Sequence, residues 1–285
     1  MQNKKVKKVT KNIGLIIAIV YFVILGTYNL TRHVRFYNEY SKIQGEYIEK
    51  CEGEYLNNTE YDELCDRVLE EGQINKYDVR YVFLDAIKPC GNYFVFLTPF
   101  VLVFAMLTDH KIKKLKRKEV CIKDFLKRSY KYSLLAPIYV ISLFVASYIY
   151  SGGFVNDQVL NTTWYLNFIS NQSHLFSTFK ILMFFVLNGF LFSLFILGIA
   201  EIIFIKTKKF NLELLSFVCI YFTLVIFFEL FLGILVSSLL RDDSIIFYFS
   251  LLNFWNLTSN YSFLIIRNLF LAILPLIGLF CLQNK

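Results

Sequence analysis

Histidine and proline are scarce in this chain: three His and four Pro among 285 residues. His33, His110 and His174 lie far apart in separate polar stretches, so no His-based metal centre is expected. There is no H-E-x-x-H, no C-x-x-C spacing and no G-x-x-x-x-G-K-S/T phosphate loop. The chain therefore lacks the usual residues for metal-assisted hydrolysis and for binding a nucleotide phosphate on its own. Charge is also sparse, at 18% Asp, Glu, Lys and Arg. Acid is missing from residues 1–12, and Lys and Arg are missing from 154–178.

Apolar residues fill the gap. They make up 56% of the chain, with 31 Phe and 19 Tyr, above the roughly 45–50% of a soluble domain. They fall into blocks, and about 20 residues at 1.5 Å each cross a hydrocarbon core of roughly 30 Å. Lipid accepts only helices or closed barrels, because every backbone polar group must be satisfied internally. Unalternating blocks of this length predict helices. The expected class is an all-α polytopic integral membrane protein of about six transmembrane helices, with a large extracytoplasmic loop after the first.

The net charge of +8 does not call for a nucleic-acid partner. Half of the Lys and Arg sit in two clusters beside apolar blocks, as the positive-inside rule and contact with anionic lipid require. Residues 1–12 form a basic tail carrying Lys4, Lys5, Lys7, Lys8 and Lys11. Ile13–Leu30 follows, too long for a signal core and without a small-residue cleavage site, so it is read as a retained first span. Residues 31–91 are net acidic and are expected outside, with short helices on the membrane face; Arg32 and Arg35 there run against the positive-inside pattern. Residues 93–108 form the second span and 109–131 a strongly basic cytoplasmic loop. The third span is 133–150 and an outside loop is 151–178. The fourth span is 179–205, 206–211 turns in the cytoplasm, and 212–240 is the fifth. Residues 241–263, with Trp255, Tyr248 and Tyr261, read as an outer interfacial segment before the sixth span at 264–282. Both termini are then cytoplasmic. The excess of Lys, Asn, Ile, Phe and Tyr over Ala and Gly points to an AT-rich genome and a bacterial cell membrane.

Several polar residues stand out. Glu229 falls in the middle of the fifth span, where a carboxylate costs at least about 2.5–3.5 kcal/mol. It is a candidate pathway or gating residue, or else a protonated Glu bonded between helices. Glu201 lies nearer the cytoplasmic end with Lys206 in reach, and Arg267 near the outer end of the last span can snorkel. Pro99, Pro137 and Pro275 are expected to kink their helices. Cys51 and Cys65 lie close together in the outside loop, where an oxidising compartment permits a bridge; Cys90 would be left over.

In the basic loop, Val120, Ile122, Phe125 and Leu126 alternate with Lys123, Asp124, Lys127 and Arg128 at roughly helical spacing. A short amphipathic helix there either lies on the lipid surface or docks into a soluble partner.

This order of elements resembles the membrane subunit of ABC-2-type exporters. The wording of two stretches is similar as well: G-N-Y-F-V-F-L-T-P-F at 91–100 entering the second span, and K-R-S-Y-K-Y-S at 127–133 entering the third. Asp109 stands where the family carries an acid, although no Gly follows it. The resemblance implies a permease that forms a translocation path with a second permease subunit, identical or homologous. It also implies a separate ABC ATPase docked on Val120, Ile122, Lys123, Asp124, Phe125, Leu126 and Arg128. ATP would be bound by that partner, and no cofactor by this chain. The alternative is an ATPase-free membrane sensor or assembly protein that binds a partner through residues 31–91. An intramembrane enzyme ranks last, because Glu229 has no evident catalytic partner at its depth.

Overall fold

Ile13–Leu56 forms one unbroken helix of 44 residues, α1. At 1.5 Å per residue it is about 66 Å long, twice the roughly 30 Å of a hydrocarbon core. Hydropathy falls after Leu30, yet the helix continues, because Glu39, Lys42, Glu46, Glu49 and Lys50 are good helix formers. Thr27 and Thr31 bond back to the carbonyls of Val23 and Thr27 at 2.8 and 2.7 Å, and Lys42 pairs with Glu46 one turn on. The expected boundary between span and loop at Leu30 thus falls inside one continuous helix.

This computed structural model describes residues 12–56, 78–112, 122–153, 178–207, 210–228, 231, 234–240 and 261–283. All regular structure among them is helical. After α1 come α2 (Val79–Ile112), α3 (Ile122–Ser133), α4 (Leu135–Ser151), α5 (Thr178–Thr207), α6 (Phe210–Ile226), α7 (Ile234–Leu240) and α8 (Tyr261–Gln283). Four helical stretches are apolar and long enough to cross a membrane. They lie in α1, at Ser129–Ser151, in α5 and in α8, and shorter apolar helices span Phe96–Asp109 and Leu212–Ile226.

α2 starts well before the apolar block that predicted it. Asp78 caps it by accepting the Arg80 backbone N–H at 2.7 Å, one of the donors a helix start leaves open. The Arg80 guanidinium folds back on the same carboxylate at 3.1 and 2.8 Å, and both side chains are buried. Phe83, one turn further, packs edge-on against Phe144 of α4 and Phe185 of α5. The first turns of α2, expected in a loop, therefore belong to the bundle core.

The directions of the helices follow from paired contacts. Gly14 meets Asp109 while Tyr21 meets Thr98, so α2 runs antiparallel to α1. Phe22 meets Tyr139 and Tyr37 stacks on Tyr150, so α4 runs parallel to α1. Asn188 bonds Asn268, Gly198 abuts Pro275 and Gly278 abuts Ile202, so α5 and α8 are parallel neighbours. The chain between them must recross the bundle, and α6 begins that return.

A proline sets the break between α3 and α4. Pro137 has no N–H to offer Ser133 four residues back, and Leu134 takes up the change as a single turn residue. At its other end α4 stops on Gly152, whose φ of 62° is left-handed, with its N–H on Ile149 O.

α5 is the central helix. Phe184, Phe185, Leu191, Phe192, Phe195, Ile196, Leu197, Ala200 and Ile203 are all buried, against α2, α3, α4, α6 and α8. The outer helices present apolar side chains outward as well. Ile16, Ile17, Val20, Val23 and Ile24 of α1 and Ile266, Leu269, Phe270, Ile273 and Ile277 of α8 are exposed. A soluble protein rarely shows apolar surface on that scale, whereas lipid-facing helices require it.

Candidate functional site

The densest polar junction lies at one end of the bundle, around Asp109 on the last turn of α2. That residue is 5% exposed, and its carboxylate receives three donors from two other elements, α1 and α3. The Gly14 backbone N–H donates to Oδ1 at 3.1 Å. The Lys131 ammonium donates to Oδ2 at 2.6 Å, and the Tyr132 hydroxyl donates to the same oxygen. Lys131 also stands 4.6 Å from the centre of the Tyr132 ring.

Each donor has a local cause. Gly14 lies in the first turn of α1, where N–H groups have no partner within the helix and a negative charge is favoured. It reaches Asp109 because it has no side chain: a Cβ there would sit 2.0 Å from the Ala105 carbonyl oxygen. Lys131 and Tyr132 come from the last turn of α3. Three donors converge on the two oxygens of Asp109. Its chemistry is to hold the ends of α1, α2 and α3 together.

α3 itself has two faces. Phe125 is fully buried, and its ring tip lies with Pro275 of α8 against Gly198 of α5. Leu126 and Tyr130 are 41% and 62% exposed, and Lys127 is exposed as well. The candidate coupling residues therefore separate. Phe125 belongs to the core and Leu126 to the surface. Ile122, Lys123, Asp124 and Arg128 lie on α3 with their side chains outside the described set, and Val120 precedes the described residues.

A second polar contact crosses the inner bundle. Asn268 Nδ2 donates to Asn188 Oδ1 at 2.9 Å, both residues fully buried, and Arg267 Nε donates to Asn268 Oδ1 at 3.0 Å. Bonds of this kind between membrane helices contribute about 0.6 kcal/mol on average. Glu201 and Glu213 are buried as well. Glu229 falls outside the described residues. Cys51 is buried and disulfide-bonded. Cys65, its expected partner, lies outside the described residues, so that pairing is not placed. Cys219 and Cys281 are free thiols. Among the described residues no group of His, Cys, Asp and Glu is arranged to hold a metal.

Sequence reasoning passed over the Asp109 junction. The signal was an acid closing one apolar block and a Lys-Tyr pair opening the next. Nothing in the sequence shows that Gly14 would arrive at the same point.

The fold and site define a class: an all-α, multi-pass, membrane-embedded protein with a polar junction at one end of its bundle. In comparisons with family models, curated proteins and solved structures, the chain matches none.

Proposed function

We propose that the chain is the membrane-spanning permease subunit of an ABC-type exporter, coupled through α3 to a separate ATPase. The observation that carries this reading is the two-sidedness of α3. Phe125 is seated against Gly198 and beside Pro275, while Leu126, Lys127 and Tyr130 stay exposed. A partner pushing on the exposed face would move the buried one, and with it α5 and α8. ATP binding in the partner would then bias the bundle between two packings. A second permease subunit, the same or homologous, completes the path in this reading.

Two opposed features support an orientation. Cys51, near the far end of α1, is disulfide-bonded, which fits an oxidising exterior. Asp109 and Lys131, which bound the Lys-rich stretch of the sequence, lie at the other end, which fits the cytoplasm and the bacterial cell membrane. Six crossings with both termini inside satisfy this arrangement. The length of α1 beyond a single span favours one other reading, a membrane sensor or assembly protein that binds a partner through its outer helical extension.

The deciding experiment is purification from the native membrane in mild detergent, followed by identification of bound proteins. A stoichiometric ATPase, lost from folded Leu126→Ala/Tyr130→Ala protein, supports the exporter. Absence of any ATPase, where a known transporter keeps its own, moves the assignment to the sensor.

A further inference from the structure

We infer that Cys51 is bridged to Cys65, so that the disulfide staples the far end of α1 and leaves its seat in the bundle untouched. Cys51 is disulfide-bonded, and the chain holds five other cysteines, at 65, 90, 121, 219 and 281. Cys219 and Cys281 are free thiols. A bridge needs Cα atoms about 4.4–6.8 Å apart. The register of the helices decides among the remaining three.

α1 is unbroken and has no proline, and the gentle curvature of a long helix shortens it little. It carries Cys51 about 45 Å beyond Tyr21. The Tyr21 hydroxyl and Thr98 Oγ1 lie 3.1 Å apart, which leaves at most about 12 Å between their Cα atoms. Cys90 precedes Thr98 on α2 by no more than about 12 Å of helix. It therefore stays about 20 Å or more from Cys51. Cys121 directly precedes α3, whose Lys131 is tied through Asp109 to Gly14. That route spans at most about 35 Å, whereas Cys51 stands about 55 Å from Gly14. Cys65 is left, and it closes a ring of 15 residues with Cys51. A ring at this place also explains why Cys51 is only 1% exposed. Here α1 has run about 21 Å past Tyr37, where it meets Tyr150 of α4, and chain folded back by the bridge covers the sulfur. Forming the bridge removes two electrons and two protons from the two thiols; exchange with an oxidised dithiol protein outside the membrane takes up both.

The test is peptide mapping of the full-length protein, alkylated under denaturing, non-reducing conditions. Trypsin leaves Cys51 and Cys65 on one peptide, 51–67, which should be two hydrogens lighter than its sequence requires. Further cleavage at Glu52, Glu54, Glu60 and Glu63 should leave its two ends joined until a reductant is added. Cys90, Cys121, Cys219 and Cys281 should all be alkylated. A peptide joining Cys51 to Cys90 or Cys121, an alkylated Cys51, or a reductant-sensitive covalent dimer overturns the proposal. Hydrogen exchange reads the placement separately. Reducing the folded protein, or Cys65→Ser where it folds, should speed the amides of Glu46–Leu56 by up to about 100-fold, the closure effect of a ring this size. The amides of Gly14–Leu25 should keep their wild-type rates. Acceleration spread evenly over α1 would mean that the bridge ties the helix to the bundle, and would overturn the proposal as well.

Discussion

Gly198 on α5 and Pro275 on α8 approach so closely that a Cβ on the glycine would lie 2.6 Å from the proline Cβ. Three residues further along α8 the relation reverses, and Gly278 faces Ile202 Cδ1 of α5 at 3.0 Å from where its own Cβ would be. Small residues that let parallel helices close up are the usual means of packing in lipid, where the hydrophobic effect does not drive helices together. Phe125 closes the same contact from α3.

Gly198→Ala should therefore destabilise the protein by about 1–3 kcal/mol, as overpacking of a tight core does. The neighbouring atoms belong to a proline ring and cannot turn away. Gly278→Ala should cost less, because Ile202 meets it with the flexible end of its side chain. Gly53→Ala has open space and should be neutral or stabilise by up to about 1 kcal/mol. Thermal unfolding of the three purified variants would rank them, and an unchanged midpoint for Gly198→Ala would contradict the packing described.

At Asp109 the loss of one carboxylate leaves the Gly14 N–H, the Tyr132 hydroxyl and Lys131 without their shared acceptor. Removing one member of a buried pair costs about 3–5 kcal/mol. Lys131 is one-third exposed, so Asp109→Ala should fall nearer 2–3 kcal/mol after discounting for solvent. Tyr132→Phe removes one bond to a charged group, worth about 1.5–3 kcal/mol. Hydrogen exchange gives the sharper readout. Amides in the first turn of α1 should exchange faster in Asp109→Ala and remain near wild type in Tyr132→Phe. Equal protection in both would mean that Asp109 does not hold α1.

What the sequence made legible, and what it hid, follows from the kind of information each feature carries. Apolar blocks identified α5, α8 and the start of α1, because membrane-length hydrophobicity is local. The same blocks misplaced helix ends. Hydropathy marks where lipid stops, not where a helix stops, so α1 continued past Leu30 and α2 began at Val79 rather than Tyr93. The periodicity of 120–128 predicted a helix there, and α3 covers its latter part. Periodicity alone treated Phe125 and Leu126 as one apolar face, yet they divide between core and surface. That division depends on Gly198, more than 70 positions away. Asp109 was visible as an acid, but its three partners depend on how α1 and α3 register against α2, which no local pattern encodes.

The division on α3 separates folding from partner binding. Phe125→Ala should cost about 3–5 kcal/mol, as for other fully buried Phe residues. Leu126→Ala and Tyr130→Ala, at exposed sites, should each stay within about 0.5 kcal/mol. If a partner docks on α3, the surface pair should release it with the melting temperature unchanged. Loss of a partner only in variants that also melt early would remove α3 as the docking element.

Cys51 permits a test of orientation that needs no partner and no substrate. Its sulfur is held in a disulfide, while Cys219 and Cys281 are free. In denatured, unreduced protein a bulky maleimide should therefore mark the free thiols and leave Cys51 unlabelled. A membrane-impermeant reductant added to intact cells before denaturation should expose Cys51 if the far end of α1 faces outward. The same reductant should have no effect if that end faces the cytoplasm, where thiols are kept reduced and a stable bridge would be unusual. Cys51→Ser supplies the control: it should abolish the reductant-dependent label. A label that persists in Cys51→Ser would come from another bridge and leave the outward assignment of this end without its support.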